Sequence, residues 1–215
     1  MTISPLSSPL RAVVFDVGET LVDESEAWSR LAVTVGVTPF TLMGVVGALI
    51  ERGENHRNVW RILGVDAPES SIITAANLYP DALPCLAALA TAGYRVGIAG
   101  NQPSSTELEL LTLGFESDFI ASSTSWGVAK PSPEFFNRVI DAAGVAAVEV
   151  LYVGDRVDND ILPARSAGMR TAFIRRGPWG YLHAQLPERA LADITVSSLS
   201  ELTDILVPSD PPQHG

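Results

Sequence analysis

Short apolar runs alternate with amphipathic segments along most of the chain. Runs rich in β-branched residues predict six buried strands, at 11–15, 94–99, 119–121, 148–153, 171–174 and 193–196. The intervals carry helical periodicity. Apolar strands that alternate with amphipathic helices are typical of βαβ units with a sheet covered on both faces. The pattern therefore predicts an α/β fold with a doubly wound parallel sheet.

Two of the predicted helices have clear end signals. Segment 104–113 opens with Ser-Ser-Thr-Glu, which predicts a capping box, and it ends at Gly114. Segment 132–143 opens with serine, has proline at its first helical position and ends at Gly144. Both segments fit the lengths expected of crossover helices.

The alternation of strands and helices stops between Asp23 and Leu78. Helical patterns at 26–35, 39–52 and 56–63 follow one another there without a strand. An insertion directly after the first strand should lie over the carboxyl edge of the sheet, where open α/β folds bind ligands, so it predicts a lid. The alternative is that these helices only pad the sheet. The predicted division is an α/β core domain at 1–22 and 78–207, a helical cap domain at 23–77 and a disordered tail at 208–215.

Composition narrows the range of partners. The chain has 14 basic and 25 acidic residues and a formal net charge of -11, which argues against a nucleic-acid partner. The absence of a leader pattern at residues 1–10 and of a long apolar stretch argues against a membrane, and we expect a cytoplasmic protein. Cys85 is the only cysteine, so no intramolecular disulfide forms, and we expect an inert core thiol. The three histidines are far apart in sequence and are expected to be solvated at the surface: His56, His183 and His214.

Carboxylates follow two of the predicted strands. Asp16 comes directly after the first strand, and Asp155 follows the strand at 148–153 by one glycine. Both side chains should emerge at the same edge of a parallel sheet, where a hard cation such as Mg²⁺ would find the oxygen ligands it prefers. Asp160 lies five residues further on and could complete the shell, whereas Asp158 is expected to cap the following helix.

Lys130 lies just before the helix predicted at 132–143. It is the single lysine among 14 basic residues. An ammonium at this edge could hold a phosphoryl oxygen and reduce the repulsion between an anionic nucleophile and an anionic substrate. The alternative is an ordinary solvated lysine.

Four segments in chain order resemble the motifs of the haloacid dehalogenase superfamily of phosphatases and related hydrolases. They are VVFDVGETL at 13–21, GIAGN at 97–101, Lys130-Pro131 and GDRVDND at 154–160, and the resemblance extends over about residues 11–207. It implies a Rossmann-like core with a small α-helical cap inserted after the first motif. It also implies that Asp16 is a nucleophile that forms an aspartyl-phosphate, and that Asp16, the Gly18 carbonyl and Asp155 hold Mg²⁺ with support from Asp160.

The chain departs from the usual phosphatase pattern at two positions. Gly18 stands where the family has a general acid/base aspartate, whose help is worth about 10² to 10⁴-fold. Glu19, or Glu24 or another residue of the cap, could replace it. Gly100 stands where a serine or threonine binds the phosphoryl group, so phosphate binding there would fall to Asn101 or to backbone N–H groups.

The resulting functional hypothesis is a Mg²⁺-dependent phosphatase of a small phosphorylated metabolite, slowed or specialised by the two glycines. One alternative is a catalytically impaired relative that binds a ligand through the cap. The other is a metal-independent dehalogenase-like hydrolase, and the intact Gly154-Asp155 pair favours the phosphatase over it.

Overall fold

A computed structural model describes residues 9–68 and 72–207. The predicted disordered tail at 208–215 and the third histidine, His214, lie outside the described residues.

The centre of the fold is a six-stranded, all-parallel sheet with the order β3-β2-β1-β4-β5-β6. The strands are β1 (Ala12–Phe15), β2 (Arg95–Gly100), β3 (Phe119–Ser122), β4 (Val150–Gly154), β5 (Arg170–Ile174) and β6 (Ile194–Val196). Every residue of β1, β4 and β5 is buried, as expected of strands that are covered on both faces. All six predicted strands are present, with bounds shifted by one or two residues.

Helices cover both faces of the sheet. Within the described residues the α-helices are α1 (Ser25–Thr34), α2 (Pro39–Glu51), α3 (Asn58–Leu63), α4 (Ala82–Thr91), α5 (Ser105–Thr112), α6 (Ser123–Trp126), α7 (Pro133–Ala143), α8 (Leu162–Ser166), α9 (Gly177–His183) and α10 (Leu199–Leu206). Val13 and Phe15 of β1 pack in one core with α4, α5 and α10. Ala12 and Val14 pack in a second core with α7 and α8. Successive residues of a strand face opposite sides, so the predicted doubly wound α/β fold is confirmed.

Helices α1, α2 and α3 follow β1 with no strand among them, and they form an apolar cluster of their own. The chain enters and leaves this segment at one point, where Val22 and Leu78 form an antiparallel bridge and the Asp23 amide donates to the Asn77 carbonyl over 2.7 Å. Trp179 of α9 packs against the segment from the side of the sheet. Leu182 of α9 packs there as well, so the segment is anchored at its base and held to the core by apolar side chains of α9.

The predicted capping box at the start of α5 is wrong. Ser104 makes no side-chain cap hydrogen bond. The Glu107 carboxylate instead accepts hydrogen bonds from the amide and the hydroxyl of Ser122, over 2.9 and 2.7 Å. The Glu107 carboxylate therefore binds β3, whereas the local sequence pattern predicts that it accepts a hydrogen bond at the start of α5. The end of α7 agrees with the prediction, because Gly144 adopts the left-handed conformation, with φ of 65°.

Among the described residues, no single helix is both long enough and apolar enough to cross a membrane. Helices α1 and α2 reach that length and composition only as a pair, and they are bent by 112° at their junction.

Candidate active site

The carboxyl ends of β1 and β4 bring two buried aspartates together. Phe15 pairs with Val153 across these parallel strands, and the Asp16 amide continues the ladder by donating to the Val153 carbonyl over 2.9 Å. Asp155 follows directly after the end of β4. Asp16 is 7% exposed and Asp155 is 2% exposed, so both carboxylates are almost removed from water.

Asp160 joins them from a turn of π-helix at Val157–Ile161. Its Oδ2 accepts the Arg156 amide over 3.0 Å. A Cβ on Gly154 would overlap the Asp160 carboxyl group, so only glycine at the end of β4 permits this approach. Asp16, Asp155 and Asp160 each place a carboxylate oxygen within 4.8 Å of the others.

Lys130 lies between two of these carboxylates. Its Nζ is 2.7 Å from Asp16 Oδ1 and 2.6 Å from Asp160 Oδ1, and its side chain is 1% exposed. The alternative of a solvated lysine is therefore wrong. Burial alone lowers the pKa of this ammonium, but the Asp16 and Asp160 carboxylates outweigh burial and raise the pKa well above its ordinary value, so Lys130 is a permanent cation.

Asn101 holds the backbone of Lys130 in place. Its Oδ1 accepts the Lys130 amide over 2.8 Å, and its Nδ2 donates to the Lys130 carbonyl over 3.0 Å. The neighbouring Gly100 lies against Asp16, since a Cβ there would be 2.7 Å from Asp16 Oδ1. A serine or threonine at position 100 would displace Asp16. The phosphate-binding roles predicted for Gly100 and Asn101 remain predictions.

Burial acts on the carboxylates as well. It raises the pKa of Asp155 well above its ordinary value, and repulsion from Asp160 and Asp16 adds to that effect. Burial also raises the pKa of Asp160 to about 6, although Lys130 opposes the shift. Three carboxyl groups and one ammonium thus meet in a buried cluster, and a further cation would favour the charged form of the carboxyl groups.

The cluster fits a magnesium ion. Asp155 Oδ2 is buried and has no hydrogen-bond partner among the described residues. A buried orphan oxygen costs free energy unless something binds it, and carboxylate oxygens are the ligands that Mg²⁺ prefers.

The loop after Asp16 is a tight turn. Glu19 has φ of 51°, and its amide donates to the Val22 carbonyl over 2.8 Å. Both oxygens of the buried Glu19 carboxylate are occupied, because Oε2 accepts the Tyr79 hydroxyl over 2.6 Å and Oε1 accepts the Glu24 amide over 3.1 Å. Glu19 therefore stabilises the loop.

The Glu24 carboxyl group fills the space beside Gly18. A Cβ on Gly18 would lie 2.6 Å from Glu24 Oε1. Glu24 Oε2 accepts the Trp28 indole N–H over 3.3 Å, whereas Oε1 has no hydrogen-bond partner among the described residues. Burial raises the pKa of this carboxyl group to about 7, and repulsion from Glu19 contributes.

Asp16, Lys130, Asp155 and Glu24 line one cavity of about 790 Å³, which is bordered opposite the carboxyl edge of the sheet by residues of α1, of α2 and of the loop at 53–57. Its far wall is aromatic: His56 makes edge-on contacts with Trp179 and Trp28, with ring centroids 5.0 and 6.1 Å apart. The site thus combines a charged end with an aromatic end, as expected of a pocket for a small polar ligand.

A family model described as haloacid dehalogenase-like hydrolase matches residues 10–168, from β1 through α8. The match covers well over half of the chain and includes Asp16, Lys130, Asp155 and Asp160. The chain belongs to this hydrolase family. The predicted family membership is confirmed, and the chain is an enzyme of the hydrolase class.

Curated relatives of this haloacid dehalogenase-like chain are phosphatases by name. It is 28% identical to glyceraldehyde 3-phosphate phosphatase of Methanocaldococcus jannaschii, covering 92% of this chain and 97% of the relative. It is 29% identical to phosphoglycolate phosphatase of Cupriavidus necator, covering 96% and 97%. A solved dehalogenase structure with an intermediate complex superposes with a TM-score of 0.69 at 25% identity, covering 95% of this chain and all of that one.

Two expectations about site neighbours of this haloacid dehalogenase-like enzyme are wrong. His183 is buried and its Nδ1 accepts the Val157 amide over 3.0 Å, while His56 is half-buried between two tryptophans, so neither is a solvated surface histidine. Asp158 makes no cap and instead pairs with Arg156 through two hydrogen bonds of 3.1 and 2.7 Å. Cys85 is buried as predicted, and burial raises the pKa of its thiol to about 11.

Sequence reasoning missed two contributors to the site. The Asn101 clamp on Lys130 joins loops 29 residues apart, which no local pattern indicates. Tyr152 places its ring 5.5 Å from Lys130 Nζ and donates its hydroxyl to the Ala99 carbonyl over 2.7 Å. The only available signal for Tyr152 was a polar atom inside an otherwise apolar strand.

Proposed function

We propose that the chain is a Mg²⁺-dependent phosphatase of small phosphorylated metabolites, with Asp16 as its nucleophile. The convergence of Asp16, Lys130 and the orphan oxygen of Asp155 at one edge of the sheet carries the proposal. Relatives named as phosphatases, matched over more than nine tenths of both chains, support it.

The residues divide the work as follows. An Asp16 oxygen attacks phosphorus, the bond from phosphorus to the leaving oxygen breaks, and an aspartyl-phosphate forms; water then cleaves it and restores the Asp16 carboxylate. Lys130 holds Asp16 in position and offsets the repulsion between two anions. Asp16, the Gly18 carbonyl and Asp155 would hold Mg²⁺, with Asp160 in support. When bound, the ion supplies charge neutralisation at the transferring group.

We propose that residues 23–77 act as the cap over this reaction. Three residues of this segment, Glu24, Trp28 and His56, line the cavity. The phosphate would then bind at the charged end, and the rest of the metabolite would lie against the aromatic wall.

The test is phosphate release from a panel of phosphorylated metabolites that includes glyceraldehyde 3-phosphate, phosphoglycolate and phosphoserine. We expect Asp16→Asn, or chelation of Mg²⁺, to lower the rate of phosphate release by at least about 10⁴-fold. The nucleophile and the metal ion act together, so the loss of either one removes most of the catalysis. Asp158→Asn is the control, since this carboxylate lines the cavity but pairs with Arg156. An unchanged rate in Asp16→Asn would refute the assigned nucleophile.

A dehalogenase is the second candidate, because a dehalogenase structure at 25% identity superposes over 95% of this chain. A carboxylate nucleophile could attack the halogen-bearing carbon of a 2-haloacid and displace halide, just as it would attack phosphorus in a phosphate ester. Halide release measured in the presence of chelator distinguishes the two reactions. A folded chain that binds Mg²⁺ but releases neither product would instead be the ligand-binding relative.

A further inference from the structure

We propose that Glu24, which belongs to the helical segment 23–77, is the proton donor and acceptor for the reaction at Asp16. This inference rests on the proposed phosphatase function. It assigns a role that the loop after Asp16 leaves vacant, because Gly18 has no side chain to carry a proton.

Phosphoester cleavage through a carboxylate needs one proton carrier. The leaving oxygen departs as an alkoxide unless it receives a proton, and the water that later attacks the aspartyl-phosphate must lose one. A single group can do both in turn, since it gives its proton in the first step and is ready to accept one in the second.

Most acidic groups that line the cavity, and the buried Asp160 of the carboxylate cluster, are engaged otherwise. Asp160 is hydrogen-bonded to Lys130 and to the Arg156 amide, and both oxygens of Glu19 accept hydrogen bonds. Glu54 and Asp158 form ion pairs with arginines at the exposed rim.

The two histidines at the cavity are also unsuitable. His183 Nδ1 accepts the Val157 amide over 3.0 Å, which holds its ring against the backbone. His56 lies between the rings of Trp28 and Trp179 on the far wall. Neither ring contacts the loop that carries Asp16 in any described hydrogen bond.

Glu24 has the geometry that the role requires. Its Oε1 would be 2.6 Å from a Cβ on Gly18, so the carboxyl group occupies the position that a side chain at residue 18 would fill. Gly18 is two residues from Asp16. The indole of Trp28 orients the group by donating to Oε2 over 3.3 Å, whereas Oε1 has no hydrogen-bond partner among the described residues, and Glu24 lines the cavity.

The proton balance is complete with these groups. Asp16 attacks phosphorus while the Glu24 carboxyl group gives its proton to the leaving oxygen, which produces an alcohol, the aspartyl-phosphate and the Glu24 carboxylate. Water then attacks phosphorus and gives a proton to Glu24. Inorganic phosphate leaves and both carboxyl groups return to their starting states.

The experiment compares Glu24→Gln with the wild type on two substrates. Glutamine keeps the shape and an acceptor for Trp28 but carries no acidic proton. On an alkyl phosphate we expect a loss of about 10² to 10⁴-fold in kcat. On p-nitrophenyl phosphate, whose leaving group needs no proton, we expect a burst of one equivalent of p-nitrophenolate and then slow turnover, with a phosphoryl group trapped on Asp16 by acid quenching.

Two controls exclude a merely structural effect. Glu54→Gln changes another carboxyl group of the same cavity and should show neither the loss nor the burst. The double variant Gly18→Asp with Glu24→Ala moves the carboxyl group to residue 18 and should recover at least tenfold over Glu24→Ala alone.

The outcomes separate the two proposals. A wild type without Asp16-dependent phosphate release overturns the phosphatase and this role with it. An active wild type whose Glu24→Gln variant stays within about threefold on the alkyl phosphate, without a burst, overturns the role of Glu24 alone.

Discussion

The cavity has two walls that differ in how their side chains are held. The carboxylate floor is formed by the buried side chains of Asp16, Lys130 and Asp155, together with the fully buried Asp160. Charged contacts of 2.7 and 2.6 Å join Lys130 to Asp16 and to Asp160. The aromatic roof, formed by Trp28, His56 and Trp179, is held by ring contacts of 5.0 and 6.1 Å.

This difference separates two kinds of constraint. A buried charged contact depends on the position of every member, because a charge that loses its partner stays desolvated. An apolar wall tolerates changes of shape at smaller cost, since its contacts are weak and not directional. We therefore expect the floor to determine the reaction and the roof to determine which molecule reacts.

The largest expected effect comes from removing the cation of the floor. Lys130→Met leaves Asp16 and Asp160 buried without their shared ammonium. We expect the free energy of unfolding to fall by about 3–5 kcal/mol, measured by urea denaturation without Mg²⁺.

The matched control is an ion pair at the exposed rim of the same site. Asp158→Asn breaks the pair with Arg156, and the Asp158 side chain is 57% exposed, so its loss should cost less than about 1 kcal/mol. Equal losses in the two variants would contradict the distinction between a buried charged floor and its solvated surroundings.

A change in the roof should act on binding. Trp179→Leu removes an indole ring that lines the cavity, and we expect KM for the best phosphorylated substrate to rise about tenfold while kcat stays within about threefold. Trp126→Leu is the control, because Trp126 packs against Phe135 outside the cavity. A fall in kcat without a change in KM would place the roof in the chemistry.

The floor was more accessible to sequence reasoning than the roof. Asp16 and Asp155 each follow an apolar run, and a parallel sheet brings such positions to one edge whatever the loops do. Lys130 could be identified as a candidate from its rarity and from its position before a helix. Its burial between two aspartates could not be predicted from the sequence. The pairing of strands is decided by hydrophobic patterning over many residues, so it survives errors of one or two residues at the ends.

Loop contacts were harder to predict because they depend on the approach of distant segments. The Glu107 carboxylate accepts a hydrogen bond from Ser122 and not from the helix end where it was expected. Asn101 accepts a hydrogen bond from the Lys130 amide. The position of Glu24 depends on the left-handed turn at Glu19, which brings the chain back beside Gly18. A short loop with a given sequence pattern can adopt several conformations, and contacts with distant segments determine which conformation forms.

The smallest expected effect is a pH dependence in the roof. Burial lowers the pKa of His56 to about 4, and the Arg156 and Arg57 guanidinium groups lower it further while Asp158 opposes them. The unfolded chain therefore binds more protons at this ring between about pH 6.5 and 4, so His56 contributes stability that is present above that range and lost as the pH falls through it. Because His56 is partly exposed, we expect a loss on the order of 1 kcal/mol.

His56→Phe keeps an aromatic ring between Trp28 and Trp179 but cannot titrate, so its free energy of unfolding should fall less than that of the wild type between pH 7 and pH 4, as followed by urea denaturation. Parallel decreases in the two proteins would show that the histidine ring is protonated without cost and that the roof, unlike the floor, is indifferent to charge.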